Sequence, residues 1–245
     1  MLFLPYKDDN PTRSTPIVNW ILILANLWVF FTWQFPLEPN EQDAYFSSFG
    51  FIPATFFGQF FHPSLEGIIW EWYSVITSMF SHGGIAHLFG NMLFLYLYGD
   101  NLEDALGKFR YLMFYLCCGF LAALAQAFIN PSSQIPMVGA SGAISGVIGG
   151  YILLYPKANI RVFYWVILFF GTIMVPAYLV LGLWLLEQVL LFPESMKEAG
   201  GVAIAAHLGG FAGGFILTPL FKKKGVQLFQ DGHSQAFSRH HRRIR

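Results

Sequence analysis

The sequence predicts an all-α polytopic membrane protein built on six transmembrane helices, and three observations carry that expectation. Charged residues make up only 11% of the 245-residue chain, against 55% hydrophobic and 18% aromatic. An ordinary soluble domain carries about 25% charge. Six stretches reach the roughly 20 mostly apolar residues that a span of the hydrocarbon core needs. Basic residues fall almost entirely on one side of those stretches. The same composition excludes a disordered chain, and the absence of basic excess excludes a nucleic-acid binder.

The stretches follow in order along the chain. The first covers residues 16–35; its apolar run is too long for a cleavable signal peptide and reads as a signal anchor. The second, 84–99, is barely long enough and carries His87 and Asn91, so hydropathy rates it weakest. The third and fourth are 110–129 and 136–155. The fifth, from Val162 to about residue 192, is over-long and contains Pro176, which predicts tilt or a kink. The sixth, 200–221, is stopped by Lys222-Lys223-Lys224. Between the first two lies one long loop, 36–83, acidic, without a basic residue, and with eleven aromatic residues between Tyr45 and Tyr73. Such a loop is expected to rest in the outer interface, where Trp and Tyr are favoured. The chain thus divides into a cytoplasmic segment 1–15, a six-helix domain 16–221 and a basic, flexible cytoplasmic tail 222–245.

Orientation comes from the charges. With the N-terminus inside, 13 of the 14 Lys and Arg residues fall on inside segments, and only Lys197 falls outside. Both termini are therefore expected in the cytoplasm. The inside segments sum to +7 and the outside ones to −7, so the formal net charge of zero is a cancellation across the membrane. Cys117 and Cys118 are adjacent in an apolar run, a spacing that suits neither a disulfide framework nor a metal site.

Polar groups inside spans are costly and mark function by default. The stretches hold Asn19, Asn26, His87, Asn91, Ser141, Ser145, Glu187 and His207. Asn19, Asn26 and Ser145 are expected to make helix–helix hydrogen bonds, and Glu187 to face the outer interface. His87, Asn91, Ser141 and His207 share a depth. They lie about three to seven residues into spans that all run outside to inside, which is roughly 5–11 Å at 1.5 Å per residue. His87 and Asn91, spaced i, i+4, share a helix face. Gly142, Gly146 and Gly150 form one stripe of small residues; Ala206, Gly210 and Gly214 form another. Stripes of this spacing let membrane helices approach closely. Packing one on the other brings Ser141 to His207.

A serine hydroxyl becomes a useful nucleophile when a neutral histidine within hydrogen-bond reach accepts its proton. No Asp or Glu lies at that depth on these helices, so the pair reads as a dyad without an acid. Ser141 lies near a helix start, where backbone N–H groups lack helical partners and the dipole is positive. Its N–H, with the side chains of Asn91 and His87, suits an oxyanion hole.

These residues resemble the rhomboid family of intramembrane serine proteases. The carrying motifs are Gly139-Ala140-Ser141-Gly142, then Ala206-His207-Leu208-Gly209-Gly210 with Gly214, and the run from His82-Gly83-Gly84 through His87 to Asn91. The resemblance covers all six spans and the long first loop. It implies a rhomboid-like six-helix bundle, Ser141 as nucleophile, His207 as general base, and Asn91, His87 and the Ser141 N–H as oxyanion hole. It implies single-spanning membrane proteins as substrates, cut near their outer end within the lipid bilayer, with no cofactor and no metal. Two departures stand out. Many rhomboids carry Trp-Arg four and three residues before a Thr, where counting from Thr77 gives Tyr73-Ser74. Some carry a Tyr four residues after the serine, where this chain has Ser145, so the histidine ring needs another neighbour. Compactness and short termini make a bacterial plasma membrane the expected location. The alternatives are a catalytically inactive rhomboid-like binding protein, which usually lacks the serine or histidine, and a three-plus-three transporter, which the absence of repeat symmetry disfavours.

Overall fold

The first apolar stretch forms helix α1 (Ile17–Val29), which a π-helical turn over Phe30–Gln34 continues. The computed structural model describes residues 1–61, 64–195 and 203–230. The first turn of α1 has no side-chain cap of its own. Glu103 supplies one from α5 (Ile85–Leu106), accepting from the N–H of Asn19 at 2.7 Å and of Val18 at 3.3 Å. A carboxylate thus meets amides that no helix carbonyl reaches.

Residues 36–83 hold three helices rather than an irregular loop: α2 (Pro39–Phe49), α3 (Pro53–Phe61) and α4 (Leu65–Ser78). Glu38 and Glu41 form a capping box at the start of α2, and the Ser64 hydroxyl accepts from Gly67 N at α4. Trp72 of α4 stacks on Phe120 at 5.0 Å between ring centres. That ring belongs to α6 (Lys108–Ile129), which follows α5 after a reversal at Gly107. The φ of +88° at Gly107 lies where only glycine is comfortable.

Helix α7 (Ser141–Leu154) is the centre of the molecule; all its residues except Ser141 and Ile152 are buried. A helix surrounded on every side needs no polar face. The stretch assigned to 136–155 therefore starts late: Met137 pairs with Phe51 in an isolated bridge, and the helix begins at Ser141. After α7 come strands β2 (Asn159–Val166) and β3 (Phe169–Pro176), then α8 (Ala177–Ser195) and α9 (Ile204–Phe221).

The molecule is thus not all-α, and the fifth apolar stretch is not one long helix. Its first half is a β-hairpin, and β1 (Leu2–Asp8) pairs antiparallel with β2 to give a sheet of order β1-β2-β3. The run Val162-Phe163-Tyr164-Trp165-Val166 is β-branched and aromatic, which suits a pleated surface better than a helix. Helix α8 opens immediately after Pro176, a residue with no N–H to offer a helix interior.

Among the described residues, four helices are long and apolar enough to cross a membrane: Ile17–Gln34, Lys108–Ile129, Ala177–Ser195 and Ile204–Phe221. Helix α5 is long but ends in Asp100, Glu103 and Asp104, and α7 has only 14 residues. Lys197, the start of the sixth stretch at Gly200 and the histidine–arginine clusters after residue 230 lie outside the described residues.

Candidate active site

Small residues set how closely α7 and α9 approach. A Cβ on Gly210 would collide with the carbonyl oxygen of Gly142, and one on Gly214 with that of Gly146. The two stripes interdigitate in parallel, backbone against backbone, as small-residue packing allows. Gly150 continues the register against Thr218, the next step of four along α9, and also meets Leu102 of α5. Gly149, outside the expected stripe, lies against the carbonyl of Phe211.

This packing brings Ser141, the first residue of α7, to His207, in the first turn of α9. The hydroxyl oxygen lies 2.8 Å from Nε2. On the other side of the ring, Nδ1 lies 2.8 Å from Oε1 of Gln188, a buried residue of α8. The amide oxygen can only accept, so Nδ1 carries the hydrogen and Nε2 presents its lone pair to the serine. Trp184, one turn earlier on α8, tilts against the imidazole with ring centres 6.3 Å apart. Gln188 and Trp184 are the neighbours the ring needs in place of a tyrosine at 145.

Gln188 was not legible in the sequence. Glu187, the charged residue of that stretch, is exposed, in keeping with a residue that faces outward, and the contact with His207 belongs to the next residue. The Ser145 hydroxyl donates to the Ser141 carbonyl at 2.7 Å within α7 and, among the described residues, makes no bond to another helix. Asn26 donates within α1, to Leu22 O at 2.8 Å, and its side chain also meets the Tyr115 hydroxyl of α6. Asn19 does join helices, donating to Leu95 O and accepting from the Tyr111 hydroxyl at 2.8 Å.

Asn91 and His87 of α5 line the same cavity as Ser141 and His207, a volume of about 600 Å³ that also touches Trp184, Met137 and Gly139. Nδ2 of Asn91 is buried and has no hydrogen-bond partner among the described residues, a costly arrangement unless something else accepts from it. His87 Nδ1 accepts from Gly83 N at 3.3 Å. Gly139 closes the floor with φ +123°, and a Cβ there would fall 2.7 Å from the His87 ring. Among the described residues no side chain caps α7; its first residues, Ser141, Gly142 and Ala143, line the cavity, and N–H groups at a helix start lack helical partners. The first loop is tied down beside this site by a reciprocal pair: Gln34 donates to His82 O, and His82 N donates to Gln34 Oε1, both at 3.0 Å. Thr77, the reference point of the missing Trp-Arg, donates to Phe49 O at 2.8 Å. Among the described residues no cluster of His, Cys, Asp or Glu is arranged to hold a metal ion.

Long apolar helices around a half-buried serine–histidine pair define an integral membrane protein with the geometry of a serine hydrolase. Residues 69–224 match the family model described as Rhomboid domain, and the chain belongs to the rhomboid family. YdcA of Bacillus subtilis is 29% identical over 154 residues, 63% of this chain and 69% of that protein. Rhomboid protease GluP of Bacillus subtilis is 32% identical over 145 residues, 59% of this chain but only 25% of its own length. Inactive rhomboid protein 1 of Drosophila melanogaster is 35% identical over 82 residues, 34% of this chain and 6% of that one.

Proposed function

We propose that the chain is an intramembrane serine endopeptidase that cleaves single-spanning membrane proteins near their outer end through an acyl-enzyme on Ser141. The observation that carries this reading is the chain of contacts Ser141–His207–Gln188, 2.8 Å at each step, beside a cavity lined by an unsatisfied asparagine amide. His207 Nε2 takes the hydroxyl proton as Oγ attacks the scissile carbonyl carbon, then delivers it to the departing amine. The oxyanion is received by Nδ2 of Asn91, the Ser141 N–H and His87; removing one such donor typically costs about 3–4 kcal/mol of transition-state stabilisation. Water then attacks the ester with His207 again as base. A substrate helix must unwind at the cut, because its carbonyls are already hydrogen-bonded and shielded.

This reading uses six spans, with α5 and α7 crossing beside the four long apolar helices, both termini in the cytoplasm, a catalytic domain over 16–221, and a bacterial plasma membrane as the setting. An inactive, binding-only protein is the competing reading. Labelling with a fluorophosphonate and turnover of a model transmembrane substrate separate the two. The wild-type chain is expected to form one adduct, on Ser141, and Ser141→Ala to lose both adduct and turnover while remaining folded. Turnover that survives in Ser141→Ala overturns the mechanism, and a wild-type chain that forms no adduct favours the binding protein.

A further inference from the structure

The β-hairpin has a buried base and a distal end that no described residue covers. Its base is ordinary core: Ile160 and Val162 are buried in the main hydrophobic cluster, and Ala177 N donates to Ala158 O at 2.8 Å. From that base two eight-residue strands extend about 25 Å. Their distal end is apolar and uncovered, with Ile167 80%, Leu168 85% and Phe169 76% exposed. The two-residue turn sets Ile167 at φ +55°, a conformation that turns in water give to Asn or Gly and that is unfavourable for a β-branched residue. The indole N–H of Trp165 donates to Ile167 O at 2.8 Å, so the tip carries its own hydrogen bond.

One face adds charge. The register pairs Leu2 with Trp165, Leu4 with Phe163, and Lys7 with Arg161, and directly paired residues share a face. Lys7 and Arg161 are both exposed. Like charges directly opposite one another are destabilising in a sheet unless an anion lies over them.

We infer that the hairpin docks on the cytoplasmic leaflet, its Trp165–Phe170 tip in the headgroup–acyl boundary and Lys7 with Arg161 on anionic headgroups. Three features select a lipid surface. The hairpin is continuous with a lipid-facing helix, since β3 runs into α8 without a linker and Leu179, Leu183 and Leu186 are exposed along it. The cytoplasmic leaflet is anionic, matching the cation pair. A second copy docked through the same face would oppose cations to cations. Insertion is shallow, because β1 and β3 are both sheet edges, and unpaired edge groups are not tolerated in the hydrocarbon core.

The inference draws on the cytoplasmic placement of the termini but not on catalysis, so its test uses the full chain carrying Ser141→Ala. Cys117 and Cys118 are replaced by Ala, and a nitroxide is placed at Leu168→Cys or, as an aqueous reference, at the exposed Lys224→Cys. Vesicles of phosphatidylcholine, with or without phosphatidylglycerol, host the chain at low protein density; docking is then read in either reconstituted orientation. The Leu168 label is expected to relax with oxygen in preference to a water-soluble nickel chelate, and the Lys224 label the reverse. Lys7→Gln with Arg161→Gln should lower the docked population on the order of fivefold per cation in phosphatidylglycerol vesicles and leave it unchanged in phosphatidylcholine. A Leu168 label as nickel-accessible as Lys224 overturns the inference. So does protection that disappears on dilution of the protein, which assigns the tip to a second copy, or an equal response to the double substitution in both lipids.

Discussion

His207 depends on a neutral partner where many serine hydrolases use a carboxylate. A buried carboxylate beside the ring would need its charge satisfied in a low-dielectric bundle, whereas the Gln188 amide holds the tautomer without adding charge. Gln188→Leu removes that acceptor and is expected to lower kcat about ten- to a hundredfold, the worth of one lost buried hydrogen bond, with KM little changed. Gln188→Glu keeps an acceptor oxygen at the same reach and should retain more activity than the leucine variant. Steady-state kinetics on a model substrate, with thermal unfolding as a control, check this. Equal kcat in the leucine variant and wild type removes Gln188 from the mechanism. His207, Ser141, His87 and Asn91 were all readable as polar residues at one depth; Gln188 was not, because a charged neighbour one residue away drew the attention. Which of two adjacent residues faces inward is a matter of helix rotation, and packing sets that.

Two helices, α7 and α9, hold the site together by exclusion of side chains. Gly210→Val would force a branched side chain onto the Gly142 carbonyl, so it should lower stability by about 1–3 kcal/mol or more and separate Ser141 from His207. Gly182 of α8 meets nothing within 4 Å, so Gly182→Ala should be neutral or stabilising by about 0.5–1 kcal/mol. Thermal unfolding in nanodiscs compares the pair; a tolerated Gly210→Val, with activity intact, contradicts the close packing. The stripes were legible because a four-residue spacing of small residues survives in any reading of a helix. The hairpin was not. An apolar run reads alike as a buried strand or a helix, and only the over-length of the fifth stretch and its Pro176 hinted that it was two elements. The helices of residues 36–83 were hidden in the same way, because an aromatic-rich segment announces an interface rather than a conformation.

At the scale of the whole molecule, the sheet is tied to the bundle through a half-buried carboxyl group. Asp8 on β1 accepts from the Tyr151 hydroxyl at 2.7 Å and from Asn101 Nδ2 at 2.9 Å. Burial, foremost, raises its pKa from 3.8 to about 7; the Tyr151 hydrogen bond opposes this, and Asp100 and Asp9 add to it. A carboxyl group raised in the folded state is protonated there when the unfolded chain has already lost its proton. Its contribution is therefore fully present below about pH 4 and is lost as pH rises to about 7. Unfolding temperature in nanodiscs should fall across that window, and Asp8→Asn should flatten the fall. A slope unchanged in Asp8→Asn assigns the dependence to other groups.

Composition and the long apolar stretches were sufficient to mark a membrane-embedded chain. The spacing of serine, histidine, asparagine and glycine was sufficient to anticipate which polar residues the fold brings together. These are properties of local pattern, which hydrophobic burial and helix periodicity read directly. The tertiary structure decided what local pattern leaves degenerate: that β1 joins residues 159–176 in a sheet, that Glu103 caps a helix far away in sequence, and that Gln188 rather than Glu187 meets His207. Each depends on contacts between residues distant along the chain, whose energies no local window contains.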